Sequence, residues 1–157
     1  MKGTFASAVA ALILVIPGAA LAADSATMVP IRQFISAFNK GDLKAAEATH
    51  TADVIIVDEP APFLWKGPGA FKAWVADLER DEKARDRTDG AVTLGQTRRE
   101  EVAGDAAYVI VDADYAFKDK GAPMHEPSQM TYRLTKTSEG WKISSWTWTG
   151  PRAQPRK

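Results

Sequence analysis

Two hydrophobic rhythms divide the chain. Between Ile31 and Leu78 apolar residues recur mainly at helical spacing, interrupted by short extended runs, and from Ala91 onward they alternate with polar ones. Ile31, Phe34, Ile35 and Phe38 fall at i, i+3, i+4 and i+7, which predicts a helix with one apolar face. Ser25 or Thr27 can cap it, Pro30 sits where a missing N–H costs little, and Gly41 suits a left-handed residue beyond its end. Asp42 is placed to cap a second, shorter helix to about Thr49, with Leu43 and Ala46 turned inward. Val54 to Val57 is a continuous β-branched run and reads as a buried strand, stopped by Glu59-Pro60-Ala61-Pro62. Phe63-Leu64-Trp65 reads as a second short strand. Gly67-Pro68-Gly69 then leads into a third helix with Phe71, Trp74, Val75 and Leu78 on one face. The charged stretch Glu79 to Asp89 reads as its solvated end and a loop.

The alternating half contains strands at about 91–102, 106–117, 124–136 and 141–149, joined at Ala103-Gly104-Asp105, Lys118-Asp119-Lys120-Gly121 and Ser138-Glu139-Gly140. Long strands on short turns form an antiparallel meander. Pro151 to Lys157, with three basic side chains and two prolines, reads as a flexible, frayed tail. The expected fold is α+β: three N-terminal helices packed on a strongly curved antiparallel sheet, with a conical, mostly apolar pocket between the layers.

The first 22 residues change the picture of where this domain works. Lys2 precedes an apolar run, Ala8 to Ile16, that is too short to span a bilayer, and Ala20-Leu21-Ala22 offers the small residues a signal peptidase reads. A cleaved signal peptide over 1–22 and a domain over 23–150 are expected, in a periplasmic or secreted protein; a retained anchor is the alternative. The chain has no cysteine, so neither disulfides nor thiol chemistry are available. Its 20 basic residues, one of them Lys2, balance 20 acidic ones, so the mature chain carries about one negative charge. That balance makes no case for nucleic acid, or for a membrane surface after cleavage.

A resemblance rests on Phe38-Asn39-Lys40-Gly41-Asp42-Leu43, Ala52-Asp53, Val57-Asp58, Gly67 with the helix behind it, and the closing Gly140-Trp141-Lys142-Ile143. With this order of elements the chain resembles the SnoaL-like, or nuclear-transport-factor-2-like, superfamily over nearly all of its mature length. That superfamily includes enzymes and non-catalytic binding proteins, so the resemblance implies the fold more than the function. Set against the ketosteroid isomerases of the superfamily, Asp58 falls where those enzymes keep a general-base aspartate. Their two oxyanion donors fall on Phe34 and Met130, neither of which can donate a hydrogen bond. Other SnoaL-like proteins carry histidines in the last strand, at places held here by Ser145 and Thr147.

Several residues compete for a role. Asp58 ends a buried strand, where a carboxylate can act as a base or simply cap the loop's amides. Asp112 and Asp114 share one strand face; amphipathicity sends them to solvent, whereas alignment with the isomerases aims them at the concave side. His50 and His125 lack HxxxH or HxH spacing, there is no GxSxG serine and no glycine-rich phosphate loop, and no metal or cofactor is expected. Strict alternation places Trp146 and Trp148 opposite Trp141, Ile143, Ser145 and Thr147, on a face that needs a second layer, for which a homodimer partner is the candidate.

The expected function is binding of a small, largely apolar molecule by Phe34, Phe38, Trp65, Asp114, Met130, Ser145 and Thr147, with Asp58 as the catalytic candidate. The alternatives are a cofactor-independent isomerase, dehydratase or cyclase using Asp58 as base, and a dimeric interaction module without a ligand. The export reading predicts an intact mass for the exported protein that begins at Ala23 and lacks Lys2. A mature mass that retains the apolar run would overturn it.

Overall fold

The computed structural model describes residues 25–156, so the segment read as a signal peptide lies outside the described residues. The elements run α1 (Met28–Asn39), α2 (Leu43–Ala48), β1 (His50–Val57), β2 (Leu64–Lys66), α3 (Ala70–Ala84), β3 (Arg87–Ala103), β4 (Ala106–Asp119), β5 (Ala122–Thr137), β6 (Gly140–Thr149) and β7 (Gln154–Pro155). The strands form one sheet in the order β2-β1-β6-β5-β4-β3, antiparallel except where β1 runs parallel to β6. The sheet is curved and unclosed, and the helices pack on one face of it, as the α+β reading expects.

The helical half follows its sequence signals closely. Ile31, Phe34 and Ile35 are buried on α1, and Gly41 takes the left-handed conformation, φ +70°, that lets the chain turn into α2. Asp42 caps α2, its Oδ1 accepting from the Ala45 amide at 3.0 Å. Thr27 occupies the N-cap position of α1 but makes no cap bond. Its hydroxyl donates instead to Glu100 on β3, tying the helix start to the sheet. The charged stretch after α3 is only partly loop. Arg87 and Thr88 already pair with Asp119 and Lys118, so β3 begins inside it.

On β4 the amphipathic reading of the aspartates holds. Val109, Val111, Ala113 and Phe117 are buried on the inner face, and Asp112 and Asp114 point outward. Asp112 accepts from Arg98 Nε at 2.7 Å and Gln129 at 3.2 Å, and Asp114 lies 3.1 Å from His125 Nδ1.

The last strand departs from strict alternation, and this corrects the face assigned to Trp146 and Trp148, on which the dimer expectation rested. Leu134 pairs with Ile143 and Arg133 with Ser145, so Ser144 is an extra residue with no partner of its own. Its hydroxyl accepts from the Arg133 guanidinium at 2.7 Å and donates to the Arg133 carbonyl at 3.1 Å. Beyond the bulge the faces exchange. Trp146 and Trp148 join Trp141 and Ile143 on the helix side, and Trp146 is only 2% exposed within a single chain. The two tryptophans are covered by their own chain and give no reason to invoke a partner subunit.

The tail is corrected as well. Gln154 and Pro155 pair with His125 and Met124 of β5, and the Arg156 amide donates to the Pro123 carbonyl at 3.0 Å, so the segment is strapped to the sheet rather than frayed. Among the described residues no helix is long and apolar enough to cross a membrane.

If the bulge sets the inner face, Trp146→Ala should cost about 3–5 kcal/mol in denaturant unfolding, as for a deleted core aromatic. The sedimentation coefficient of the folded fraction should stay unchanged. Deleting Ser144 should be worse, because it returns both tryptophans to the outer face. A soluble, cooperatively folding deletion variant would contradict this account.

Candidate functional site

The layers enclose a cavity of about 500 Å³. Phe34 and Phe38 of α1, Trp74 and Leu78 of α3, Met130 of β5 and Trp146 of β6 give it an apolar floor. The aromatic packing is continuous: Phe34 lies 5.7 Å from Trp146, and Trp74 meets Trp146 edge to face at 5.0 Å. The lining is also charged, which composition alone did not suggest. Asp58, Glu59 and Glu126 belong to it, with Arg87 and Arg152, the latter carried there by the C-terminal strap.

Asp58 follows β1 directly, so the strand end fixes its place. Both expected roles meet in its carboxylate. Oδ1 accepts from the Glu59 amide at 2.8 Å, which is the loop cap, while Oδ2 accepts from the Trp74 indole at 2.7 Å inside the cavity. Burial pushes its pKa from 3.8 up to about 6; the two hydrogen bonds oppose the rise, and the negative charges of Glu126 and Asp81 add to it.

Glu126 is the residue that the sequence reading passed over. It is a carboxylate only 3% exposed, accepting from the Trp148 indole at 2.6 Å and from Ser128 at 3.4 Å. A signal for it existed. Counting back from Met130 in steps of two along β5 gives Ser128 and Glu126 on the same inner face. Glu59, an exposed residue, has its carboxyl beside that of Glu126. Desolvation of that carboxyl, then the neighbouring negative charges of Glu126 and Asp58, raise its pKa from 4.5 to about 7, against the pull of Arg87. Asp58 and Glu59 are thus two neighbouring carboxyls that keep their protons to higher pH than carboxyls in water.

Of the residues expected here, Phe34, Phe38, Asp58 and Met130 line the cavity. Trp65, Asp114, Ser145 and Thr147 do not, and each absence has a cause. Trp65, on edge strand β2, is buried against α3 and donates its indole N–H to Asp77 at 2.8 Å. Asp114 lies on the outer face of β4 beside His125. Ser145 and Thr147 are turned outward by the bulge, in register with the exposed Ile55 and Val57. His50 is buried against Phe34 and Phe71; burial lowers its pKa to about 4 and keeps it neutral, with Nδ1 donating to the Ala46 carbonyl at 2.9 Å. Among the described residues no group of three or more His, Asp or Glu side chains is arranged to hold a metal ion.

Solved structures share this architecture. A ketosteroid isomerase-like protein from Erwinia carotovora atroseptica is 19% identical, with a TM-score of 0.62 over 81% of this chain and 95% of that one. The hexachlorocyclohexane dehydrochlorinase LinA-type3 from Novosphingobium barchaimii is 15% identical, with a TM-score of 0.68 over 83% and 90%. An NTF2-like protein with a cystatin-like fold from Novosphingobium aromaticivorans is 20% identical, with a TM-score of 0.60 over 76% and 75%. At such identities the likeness is one of fold. A search of curated proteins finds no match. The family model for the SnoaL-like domain matches residues 30–148, through both layers and the cavity between them, and the chain belongs to that family.

Proposed function

We propose that this SnoaL-like protein is exported and binds a small, largely apolar molecule in the cavity, with Asp58 as the group that senses the ligand's charge. The observation that carries this reading is the floor of Phe34, Phe38, Trp74 and Trp146 beneath a carboxylate whose pKa stands at about 6. A neutral ligand strips water from Asp58 and favours its protonated form. Its affinity should therefore fall as pH climbs through about 6, and Asp58→Asn should flatten the dependence. Titration of a neutral hydrophobic fluorophore between pH 4 and 8 reads this directly. A wild-type affinity that does not change over that range would remove Asp58 from the site.

The same substitution has a signature in stability. The folded-state pKa of Asp58 is raised, so its contribution is fully present below the unfolded value of 3.8 and is lost as pH rises through about 6. His50 acts in the opposite sense. Its folded value is lowered from 6.5 to about 4, so its contribution is present above 6.5 and is lost as pH falls through 4. Comparing Asp58→Asn with wild type at each pH cancels the histidine effect. The variant should gain on wild type by on the order of 2 kcal/mol between pH 4 and 7. A gap that stays constant with pH would show that burial does not perturb this carboxylate.

A second reading is favoured by the same pKa, which suits a general base near neutral pH. The fold is shared with an isomerase-like protein and a dehydrochlorinase, and a cofactor-independent isomerase or dehydratase activity is the corresponding proposal here. Turnover of a hydrophobic ketone or alcohol that disappears in Asp58→Ala would establish it. Binding without turnover across such a panel would leave the protein a binder.

A further inference from the structure

Several charged groups on the cavity lining already have close partners. Arg85 pairs with Asp81 at 2.8 Å, Asp58 accepts from Trp74, and Glu126 accepts from Trp148. Two guanidiniums on the same lining do not. Arg152, on the exposed segment that leads into β7, has neither a hydrogen bond nor an ion pair among the described residues. Arg87, at the start of β3, makes no hydrogen bond among them, and its nearest carboxylate oxygen, on Asp119, lies 3.8 Å from Nε. That ion pair is too long for a hydrogen bond.

The Arg87 side chain is only 17% exposed. An arginine cannot shed its proton, so a largely buried one with five idle N–H donors calls for an acceptor. Its surroundings fix where it lies. The guanidinium stands 4.5 Å over the Phe117 ring, on the inner face of β4, and its charge bears on Glu59 and Tyr115 as well as on Asp119. Glu59, Tyr115 and Asp119 all line the cavity. Nε is covered, but neither Nη nitrogen is among the covered, unpartnered atoms, so the open end of the side chain is its planar fork.

Register brings the second cation to the same end of the sheet. Arg87 lies opposite Asp119 and Asp119 opposite Ala122, while Met124, two residues further along β5, lies opposite Pro155 of the strap. The carboxyls of the lining do not outweigh these charges. Asp81 is paired with Arg85, and Asp58 and Glu59 hold their protons up to about pH 6 and 7. Below those values Glu126 and Asp119 are left to balance Arg87 and Arg152.

We propose that Arg87 and Arg152 form an anion-binding end of the cavity, and that the ligand is a monocarboxylate whose apolar body lies on the aromatic floor while its carboxylate accepts from the Arg87 fork. The inference rests on the cavity being the binding site for a small, largely apolar molecule and adds the head group to that molecule. A guanidinium offers a carboxylate two parallel N–H donors, and the pair strengthens as water is excluded. A doubly charged head group would bring a second negative charge beside Glu126 and Asp119 with no further cation to meet it, which favours a carboxylate over a phosphate.

The test titrates the full mature protein with naphthylacetate, naphthylacetamide and naphthylethylamine, which share an apolar body and differ in the charge of the head group. At about pH 5.5 an ordinary carboxylic acid is ionised. Water holds the carboxylate more strongly than the amide, so burial alone predicts that the amide binds more tightly. Wild type should instead prefer the acid by about tenfold, the effect of one charge-assisted hydrogen bond. In Arg87→Gln the acid-to-amide ratio should fall to one or below, and a ratio is insensitive to a general loss of stability. Arg152→Gln should lower it by a smaller factor that fades at high salt, because exposed charge is screened. Should Arg87→Gln fail to fold, Arg87→Lys, which keeps the charge and loses the fork, should still cut the ratio several-fold. A wild-type affinity for the acid no higher than for the amide or the amine, or a ratio that either arginine's variant leaves unchanged, would overturn the proposal and leave the cavity reading intact. If none of the three probes binds, the apolar-ligand reading of the cavity fails and takes this inference with it.

Discussion

Ser144 has no residue of its own opposite it on β5, and its hydroxyl is held by both the guanidinium and the carbonyl of Arg133. That one extra residue decides what the sheet presents to the helices. Before it, Trp141 and Ile143 face inward; after it, Trp146 and Trp148 do, although strict alternation would have sent them outward. The floor of the cavity, the covering of Phe34 and Trp74, and the donor for Glu126 all follow from the exchange. Two tryptophans on the outer face would have called for a second layer; on the inner face they are the second layer for α1 and α3.

The tryptophans also explain how acidic side chains can sit beside an aromatic floor. A carboxylate removed from water needs donors, and a side chain that offers a donor without adding a charge keeps the wall largely apolar. Indole does this. Trp74 serves Asp58 and Trp148 serves Glu126, each through a single N–H on a large apolar ring. These hydrogen bonds do not fully replace hydration for Asp58, and it and its desolvated neighbour Glu59 both hold protons at higher pH than carboxyls in water. Arg87, stacked 4.5 Å over Phe117, and Arg152 on the strap add positive charge to the lining, so the cavity combines charged groups with an aromatic surface.

The helical half of the fold was legible because its signals are local. The i, i+3, i+4 spacing of α1, the Asp42 cap and the Gly41 turn each depend on a few neighbouring residues, and each appears where the pattern puts it. The aspartates of β4 were legible only in part: the apolar opposite face argued for solvent and an alignment argued for the pocket, and Asp114, expected at the pocket, lies on the outer face with Asp112. What could not be read was whatever depends on register. A bulge leaves no dependable mark in a run such as Ile143-Ser144-Ser145-Trp146, so Ser145 and Thr147 were assigned to the wrong face. The strap is similar. Two prolines and three basic residues suggest a loose end, and only the free edge of β5 beyond the end of β6 gives it a place to pair.

The balance between binding and catalysis turns on what faces Asp58. A base that removes a proton beside a carbonyl leaves negative charge on the oxygen, and strong donors there lower the barrier most; losing one costs on the order of 10²–10³ in rate. Phe34 and Met130 supply none, and the Met130 sulfur itself accepts from Tyr132 at 2.9 Å. The Tyr115 hydroxyl, the phenol on the wall, donates to Glu82. A cavity whose carboxylate can take a proton, but whose side chains at positions 34 and 130 offer no donor for a developing enolate, is better suited to recognition than to fast turnover, which is why binding stands first and proton transfer second.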